Sequence, residues 1–401
     1  MRSETLDRAL RRYDAAPHLV FWETTKACSL ACRHCRATAQ PEPSPDELST
    51  AEGHALLDQI AGLDGAKPIV VFTGGDCLAR VDIFELIGYA HDLGLRLGVA
   101  PSVTERLNLD SLTRLHGLGV RALSISLDGA RPSTHDGLRG IAGHFNQTVA
   151  ALETAVALGF RVQVNTTVMD TNVHELADVL SLLRKIGVTI WEVFFLVGVG
   201  RGSAVAEVSA RDAEDVCHFL VDASALGVTV RTVEGPFFRR VQAERALLGA
   251  ADPRSAFGLG ELYTALRARL DQEPTPTVRP ASSGTLATGD GRGVIFVGHD
   301  GAVHASGFLP RSLGNVTHES LGTIYTDHQF LAHLRAGALE GACGACEFSR
   351  LCGGSRARAF ARRGRALGDD PACVRVPTHS IASAIVGVTL ARARRGVRLS
   401  V

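Results

Sequence analysis

Short apolar runs alternate with longer amphipathic stretches over more than half of this 401-residue chain. Six runs have the length and composition of buried strands: 19–24, 69–73, 95–100, 122–127, 162–168 and 190–197. Helical periodicity follows each of them, at 49–63, 83–93, 109–118, 145–158, 173–186 and 210–226. Such repeats predict an α/β fold with a parallel sheet and right-handed crossovers. Six units are two short of a closed barrel, so we expect a partial (β/α)6 barrel with ligands at the carboxyl ends of its strands.

The overall charge argues against one class of partner. The chain has 42 Lys and Arg against 42 Asp and Glu, so it lacks the basic surplus typical of nucleic-acid-binding proteins. Its first residues contain no apolar core of a secretion signal, and we expect a cytoplasmic protein. No apolar run is long enough to span a bilayer, and membrane contact is not expected.

Nine cysteines in a chain without an export signal point to metal or redox chemistry rather than to structural disulfides. Cys28, Cys32 and Cys35 have the spacing C-x3-C-x2-C and directly follow the first predicted strand. Three thiolates leave one position open on a zinc ion or on one iron of a four-iron cluster. Zinc loops usually recruit a second pair of ligands nearby, and none follows here, which favours the cluster.

The stretch from Trp22 to Ala37 resembles the signature loop of the radical SAM superfamily, C-x3-C-x-Φ-C, with His34 in the aromatic position. The resemblance extends over the whole predicted barrel. It implies that the three cysteines ligate a [4Fe–4S] cluster whose fourth iron binds S-adenosylmethionine. It further implies reductive cleavage of that cofactor to a 5′-deoxyadenosyl radical, which abstracts a hydrogen atom from the substrate. An electron donor such as flavodoxin or ferredoxin would be a partner.

The same resemblance implies a set of cofactor-binding residues at successive strand ends. Gly74, Gly75 and Asp76 correspond to the element that holds the methionine ammonium, with Asp in place of the usual Glu. Arg139 matches the arginine that pairs with the methionine carboxylate, as a guanidinium fork suits a carboxylate. The remaining cofactor contacts that we expect are His34, Ser102, Ser126, Asp128, Asn165, Phe195 and Leu196. We assign no catalytic acid or base.

A second cysteine group lies near the end of the chain. Cys343, Cys346 and Cys352 have the spacing C-x2-C-x5-C, and Cys373 follows. Four thiolates suit a fully ligated cluster or a structural zinc ion. The spacing resembles the SPASM/twitch extension of radical SAM maturases, which implies an auxiliary [4Fe–4S] cluster. Ser306 and Arg356 stand where a full SPASM domain has cysteines, so we expect one auxiliary cluster and not two.

Five segments are predicted along the chain. An N-terminal extension (1–17) precedes the radical SAM partial barrel (18–226), and a linker or substrate-covering region spans 227–292. A cysteine-rich SPASM/twitch-like domain (293–378) begins with a predicted hairpin, and a predicted helix at 379–401 follows it. In the covering region, Glu234, Arg239 and Arg240 are polar candidates for substrate contacts.

The sequence is consistent with three different functions. The stretch 22–37 resembles the radical SAM proteins of alternative haem and haem d1 biosynthesis, which implies oxidation or removal of the side chains of a tetrapyrrole or another small molecule. The second function is a maturase that forms a crosslink or an epimer on a ribosomally made peptide. The third is a metal-binding scaffold without enzymatic activity, which would need neither Arg139 nor the Gly74-Gly75 turn.

Overall fold

One sheet carries all the strands in the computed structural model, which describes residues 11–249, 251–274 and 288–375. In chain order these are β1 (Leu19–Glu23), β2 (Ile69–Thr73), β3 (Arg96–Val99), β4 (Ala122–Ser126), β5 (Arg161–Val168), β6 (Ile190–Phe195), β7 (Thr229–Val233), β8 (Gly289–Asp290), β9 (Gly293–Val297), β10 (Ala302–His304) and β11 (Gly314–Asn315). The predicted helix at 379–401 lies outside the described residues.

The order of the strands in the sheet is β11-β10-β9-β1-β2-β3-β4-β5-β6-β7, and β8 pairs with β9. Every pair from β9 through β1 to β7 is parallel, whereas β10 runs antiparallel to both of its neighbours. The parallel sheet confirms the α/β class that the strand–helix alternation predicts, and an open sheet of this order is consistent with a partial barrel.

Helices connect the strands and cover the sheet. They are α1 (Thr50–Ala61), α2 (Ile83–Asp92), α3 (Leu109–Gly117), α4 (Pro132–Arg139), α5 (His144–Ala157), α6 (Leu176–Ile186), α7 (Ala210–Ala223), α8 (Phe237–Leu248), α9 (Pro253–Phe257), α10 (Glu261–Leu270), α11 (Leu321–Asp327), α12 (Gln329–Ala336), α13 (Gly341–Ala345) and α14 (Arg356–Arg363). Within the described ranges, none of them is long and apolar enough to cross a membrane.

Local sequence explains where several of these elements begin. Ser49 and Glu52 form a reciprocal capping box that starts α1, and Asn108 with Ser111 does the same for α3. Along β5 the side chains alternate between buried and partly exposed positions, as expected for a strand with one face on the helices and one on an interior cavity.

Regular elements occupy much of the described part of the predicted covering region 227–292. β7 extends the parallel sheet by a seventh strand, and three helices occupy the residues from Phe237 to Leu270. The predicted hairpin forms as β9 and β10, but β9 pairs with β1 and thereby joins the barrel sheet. The predicted boundaries at 226 and 293 therefore both fall within one continuous sheet.

Candidate active site

A cavity of about 480 Å³ lies among the carboxyl ends of the parallel strands. Alternate side chains of two neighbouring strands line it: Ser124 and Ser126 of β4, and Gln163, Asn165 and Thr167 of β5. Because every second residue of a strand points to the same face, these five side chains form one polar wall. The cavity occupies the place that the fold predicts for a ligand.

The three cysteines of the first group line another part of this cavity. Cys28 and Cys32 are buried, Cys35 is half-buried, and the three pack in one small cluster. Cys28 Sγ lies 3.6 Å from the hydroxyl of Ser102 and accepts a hydrogen bond from the backbone of Leu30 at 3.4 Å. Burial raises the pKa of the Cys28 thiol, so a bound metal would be needed to hold it as a thiolate.

The Gly74-Gly75 turn fixes the cysteine loop through the backbone. The amide of Gly75 donates to the carbonyl of Thr25 at 2.8 Å, and the amide of Asp76 donates to the carbonyl of Ala27 at 2.7 Å. A Cβ at Gly75 would lie 2.5 Å from that Ala27 oxygen, far inside an ordinary contact. Only glycine permits this approach, and so the turn predicted to bind cofactor also holds the loop.

Arg201 holds the cysteine loop from the opposite side, and sequence reasoning missed it. Its Nε donates to the carbonyl of Cys32 and its Nη1 to the carbonyl of Ala39, both at 2.9 Å. Its backbone amide donates to the carbonyl of Cys35 at 2.9 Å. The available signal was the glycine-rich stretch 198–202 directly after the sixth strand, which is typical of a close backbone approach.

Asp76 lies behind the cavity wall. One carboxylate oxygen accepts from the backbone amides of Leu78 at 3.2 Å and Ser102 at 3.3 Å, and the other accepts from the hydroxyl of Thr104 at 2.8 Å. The residue is buried, and this burial raises the pKa of its carboxyl group. In this structure Asp76 therefore orders the two loops that follow β2 and β3.

A buried ion pair lies beside the cysteines. Nη2 of Arg139 donates to Oδ2 of Asp128, and Nη1 donates to the sulfur of Cys32 at 3.5 Å. His34 Nε2 approaches the same Asp128 oxygen at 3.3 Å. Burial works against the charge on Asp128, yet Arg139 and His34 hold the pKa of that carboxyl far below its usual range. Asp128 thus stays ionised and keeps Arg139 against the thiol.

Two buried histidines support that ion pair, and they too were not predicted. The amide of Asp128 donates to Nδ1 of His135 at 3.1 Å, which leaves the proton of His135 on Nε2. This nitrogen lies 2.9 Å from Nδ1 of His144, whose Nε2 lies 2.9 Å from the carbonyl of Val103. Each imidazole therefore donates from Nε2, and burial lowers the pKa of His135 to about 3.

The other predicted cofactor contacts also lie at the cavity. Ser102 lines it and donates to the carbonyl of Gly75 at 2.8 Å. Asn165 accepts a hydrogen bond from Gln163 at 2.9 Å. Phe195 and Leu196, at the end of β6, are buried yet contribute to the cavity wall. The structure thus brings these side chains to one site with the three cysteines.

Comparison with known proteins shows to which family this chain is related. Residues 22–183 match the radical SAM superfamily. An AdoMet-dependent heme synthase of Nitratidesulfovibrio vulgaris is 33% identical over 360 residues, which cover 88% of this chain and 91% of that protein. The chain belongs to the radical SAM superfamily. It is also similar to the mycofactocin maturase MftC of Mycobacterium ulcerans, at 30% identity over 90% of this chain and 88% of that protein.

The radical SAM fold extends beyond the matched residues. The crystal structure of Streptococcus suis SuiB bound to S-adenosylmethionine superimposes with a TM-score of 0.63 at 12% identity, covering 93% of this chain and 81% of SuiB. At this identity the likeness concerns the fold alone. Radical SAM enzymes use a [4Fe–4S] cluster and S-adenosylmethionine, and the combination of fold and family identifies this chain as such an enzyme.

The residues of this radical SAM enzyme fit those two groups. Three thiols line one wall, and three buried nitrogens beside them have no hydrogen-bond partner among the described residues: Nδ1 of His34, Nε of Arg139 and Nη2 of Arg201. Buried polar atoms usually have partners, so these three nitrogens, two of which are guanidinium donors, fit a polar ligand. When bound, the cluster and the cofactor supply a radical that takes a hydrogen atom from a substrate.

The second cysteine group surrounds a smaller cavity of about 200 Å³. Cys343, Cys346, Cys352 and Cys373 all line it, and Cys352 lines the larger cavity as well. Burial raises the pKa of the Cys352 thiol to about 12. Arg240, a predicted substrate contact, lines this smaller cavity and is ion-paired with Glu214 and Glu244.

Ser306 and Arg356 occupy the two positions at which further cysteines were expected from the resemblance to a full SPASM domain. Ser306 donates to one carboxylate oxygen of Glu234 at 3.1 Å, and Ser355 donates to the other. Glu234 has a φ of 54°, an uncommon conformation for a residue with a side chain. The neighbouring Arg356 donates to the carbonyls of Ala366 and Gly368. Glu234 and Arg239 both line the larger cavity, as predicted for substrate contacts.

Proposed function

We propose that this radical SAM enzyme oxidises the side chains of a tetrapyrrole by hydrogen abstraction followed by decarboxylation or dehydrogenation. The observation that carries the proposal is the likeness to a heme synthase over nearly the full length of both chains, combined with the lining of the cavity. Six phenylalanines contribute to it: Phe21, Phe194, Phe195, Phe238, Phe296 and Phe308. Aromatic rings suit a large planar macrocycle, because they offer extended apolar faces.

We assign the first cysteine group, Cys28, Cys32 and Cys35, as the ligands of the cluster that binds S-adenosylmethionine. Arg139 and His34 would contact the cofactor with their unpartnered nitrogens. Gly74, Gly75, Ser102, Ser126, Asn165, Phe195 and Leu196 would form the rest of the cofactor site. Asp128 and Asp76 would act through their neighbours, since their carboxylates are occupied by Arg139 and by Ser102 with Thr104.

We further propose that Cys343, Cys346, Cys352 and Cys373 hold an auxiliary [4Fe–4S] cluster in a C-terminal cysteine-rich unit. A tetrahedral zinc ion with Zn–S bonds of about 2.3 Å would hold its sulfurs roughly 3.8 Å apart. Among the described residues, no three cysteine sulfurs lie within 4.8 Å of one another. A wider spacing favours a multi-iron cluster. The nine unpaired cysteines favour a reducing compartment such as the cytoplasm.

Maturation of a ribosomally made peptide is the second candidate. The likeness to MftC and the shared fold with SuiB favour it. An extended peptide backbone would need hydrogen-bonding partners along its length, whereas one side of this cavity is formed by apolar side chains such as Phe21, Val71 and Phe296. That wall suits a macrocycle better than an extended peptide.

The test starts from protein reconstituted anaerobically with iron and sulfide. With dithionite, S-adenosylmethionine and a propionate-bearing tetrapyrrole, we expect 5′-deoxyadenosine together with a product that has lost carbon dioxide and two hydrogens from a side chain. Flavodoxin or ferredoxin should replace dithionite as the electron donor. Formation of 5′-deoxyadenosine without any change in the mass of several tetrapyrroles would contradict the proposal, and modification of a precursor peptide would support the alternative.

Three cysteine variants separate the assigned clusters. Cys32→Ala should abolish 5′-deoxyadenosine, because the cofactor cluster loses a ligand. Cys346→Ala should retain 5′-deoxyadenosine and lose product. The matched control is Cys217→Ala, whose thiol is fully buried in the apolar core and whose loss should leave the iron content unchanged. Loss of 5′-deoxyadenosine in the Cys346 variant would contradict the division into two clusters.

A further inference from the structure

The larger cavity has a strong excess of positive charge. Seven arginines line it against three carboxylate residues, although the whole chain has equal numbers of basic and acidic residues. Most of these guanidinium groups are paired within the protein. Arg139 has Asp128, Arg36 has Glu23, and Arg201 and Arg356 bind backbone carbonyls. The net charge of the cavity therefore depends on the remaining guanidinium groups, for which these pairings do not account.

Arg239 differs from these four arginines, and also from Arg231, which lies opposite Glu192 in the register of β6 and β7. It lies on α8 and lines the cavity, and its guanidinium group forms no hydrogen bond or ion pair with any residue in the described part of the chain. Arg239 is partly exposed, and desolvation lowers the pKa of its guanidinium against the opposing influence of Cys352 and Asp290. A guanidinium without a hydrogen-bond partner can accommodate a carboxylate, which a bound anion would provide.

Further positive charge surrounds Arg239. The pKa of Arg292 is lowered to about 10, by burial first and then by repulsion from Arg239 and Arg350. Asp290 also lies near Arg239 and acts to raise the pKa of its guanidinium. Burial and the proximity of Glu234 raise the pKa of Asp290 itself well above its usual value. Arg239 therefore lies in a part of the cavity that contains several guanidinium groups.

The position of Arg239 sets it apart from the cofactor site. Gln242, one helical turn further along α8, also lines the cavity, and Cys352 of the second cysteine group lies close enough to Arg239 to influence its pKa. Arg139, by contrast, contacts Cys32 of the first group. A substrate that reaches both groups would place one end at the radical source and another end at Arg239.

We propose that Arg239 binds a carboxylate side chain of the substrate, one that is not itself oxidised, with Gln242 as a second donor. The inference rests on the proposed function, since a tetrapyrrole with several propionates offers a carboxylate for reaction and others for anchoring. The planar guanidinium donates two parallel hydrogen bonds to a carboxylate, which fixes the macrocycle in one orientation.

The probes are a porphyrin with four propionate side chains and its tetramethyl ester. Their dissociation constants are measured under anaerobic conditions on the reconstituted protein, from the shift of the porphyrin absorption band. We expect the parent protein to prefer the acid. Arg239→Gln should weaken binding of the acid about 10- to 100-fold, the value of a charged hydrogen-bonded pair, and should change binding of the ester less than about threefold. The affinity of Arg239→Lys for the acid should fall between that of the parent and that of Arg239→Gln.

The matched control is Arg365→Gln, which removes a surface arginine whose side chain is 70% exposed. It should leave the preference for the acid unchanged. Because acid and ester are compared within each variant, a general loss of folding would weaken both and cannot imitate the expected result. If Arg239→Gln keeps the parent's preference for the acid, the anchor is refuted and the proposed function stands. If the parent binds neither porphyrin, the proposed function fails and the anchor fails with it.

Discussion

Replacing Gly75 with alanine tests whether the glycine turn holds the cysteine loop in place. A Cβ at this position would lie 2.5 Å from the carbonyl oxygen of Ala27 and 2.6 Å from that of Lys26. Ordinary contacts begin at 3.4 Å, so the loop would have to move by about 0.9 Å. Both obstacles are backbone atoms, which cannot rotate away as a side chain can.

The expected cost follows from this geometry. Overpacking of a well-packed site costs about 1–3 kcal/mol. The matched control is Gly117→Ala at the end of α3, where an added Cβ meets nothing within 4 Å. That variant should be more stable than the parent by about 0.5–1 kcal/mol, because alanine loses less chain entropy in a helix. The two variants should therefore differ by roughly 1.5–4 kcal/mol in their free energies of unfolding.

Two measurements check this prediction. Urea unfolding under anaerobic conditions gives the difference in stability, and iron analysis with electron paramagnetic resonance gives the occupancy of each cluster. Gly75→Ala should lose most of the iron of the first cysteine group, about four atoms if it is a cube, and keep that of the second. Equal stability of the two variants, together with full iron content, would refute the role of the turn.

Two further predictions concern the buried network beside the cysteines. Asp128→Asn removes the anion that faces Arg139 and should lower the free energy of unfolding by about 3–5 kcal/mol in urea, whereas the exposed Asp92→Asn should change it by less than about 0.5 kcal/mol. His135 has a pKa of about 3 when folded against 6.5 when unfolded, so the unfolded chain takes up the extra proton as pH falls. Through this residue, the free energy of unfolding of the parent should fall by roughly 3 kcal/mol between pH 6.5 and pH 4. Urea titrations of the parent and of His135→Asn check this. If the free energy of unfolding depends on pH equally in both proteins, His135 makes no such contribution.

The sequence predicted the local features of the site well. Cys28, Cys32 and Cys35 lie within eight residues of one another, so their convergence depends on one loop. The strand ends that carry Ser126 and Asn165 could be placed because alternation and parallel pairing determine which residues reach the carboxyl edge. These predictions needed no knowledge of contacts between distant segments.

The predictions that needed distant contacts were less successful. The orientation of Asp76 depends on Ser102 and Thr104, which belong to the loop after the next strand. Arg201 reaches the cysteine loop across 169 positions of the sequence, and the glycines around it indicate a close approach without showing which segment is approached. β7 was overlooked because Thr229–Val233 is only partly buried and has an arginine at its centre, unlike the apolar runs of the other parallel strands.

The pairing of β1 with β9 has a consequence for the order of biosynthetic events. Leu19 pairs with Val294, so the strand that leads into the first cysteine group gains its second neighbour only from residues 275 positions later. During translation, β1 would remain an unprotected edge until β9 had left the ribosome. Iron insertion at the first group should then follow the emergence of β9, and a nascent chain stalled before residue 293 should bind no metal there.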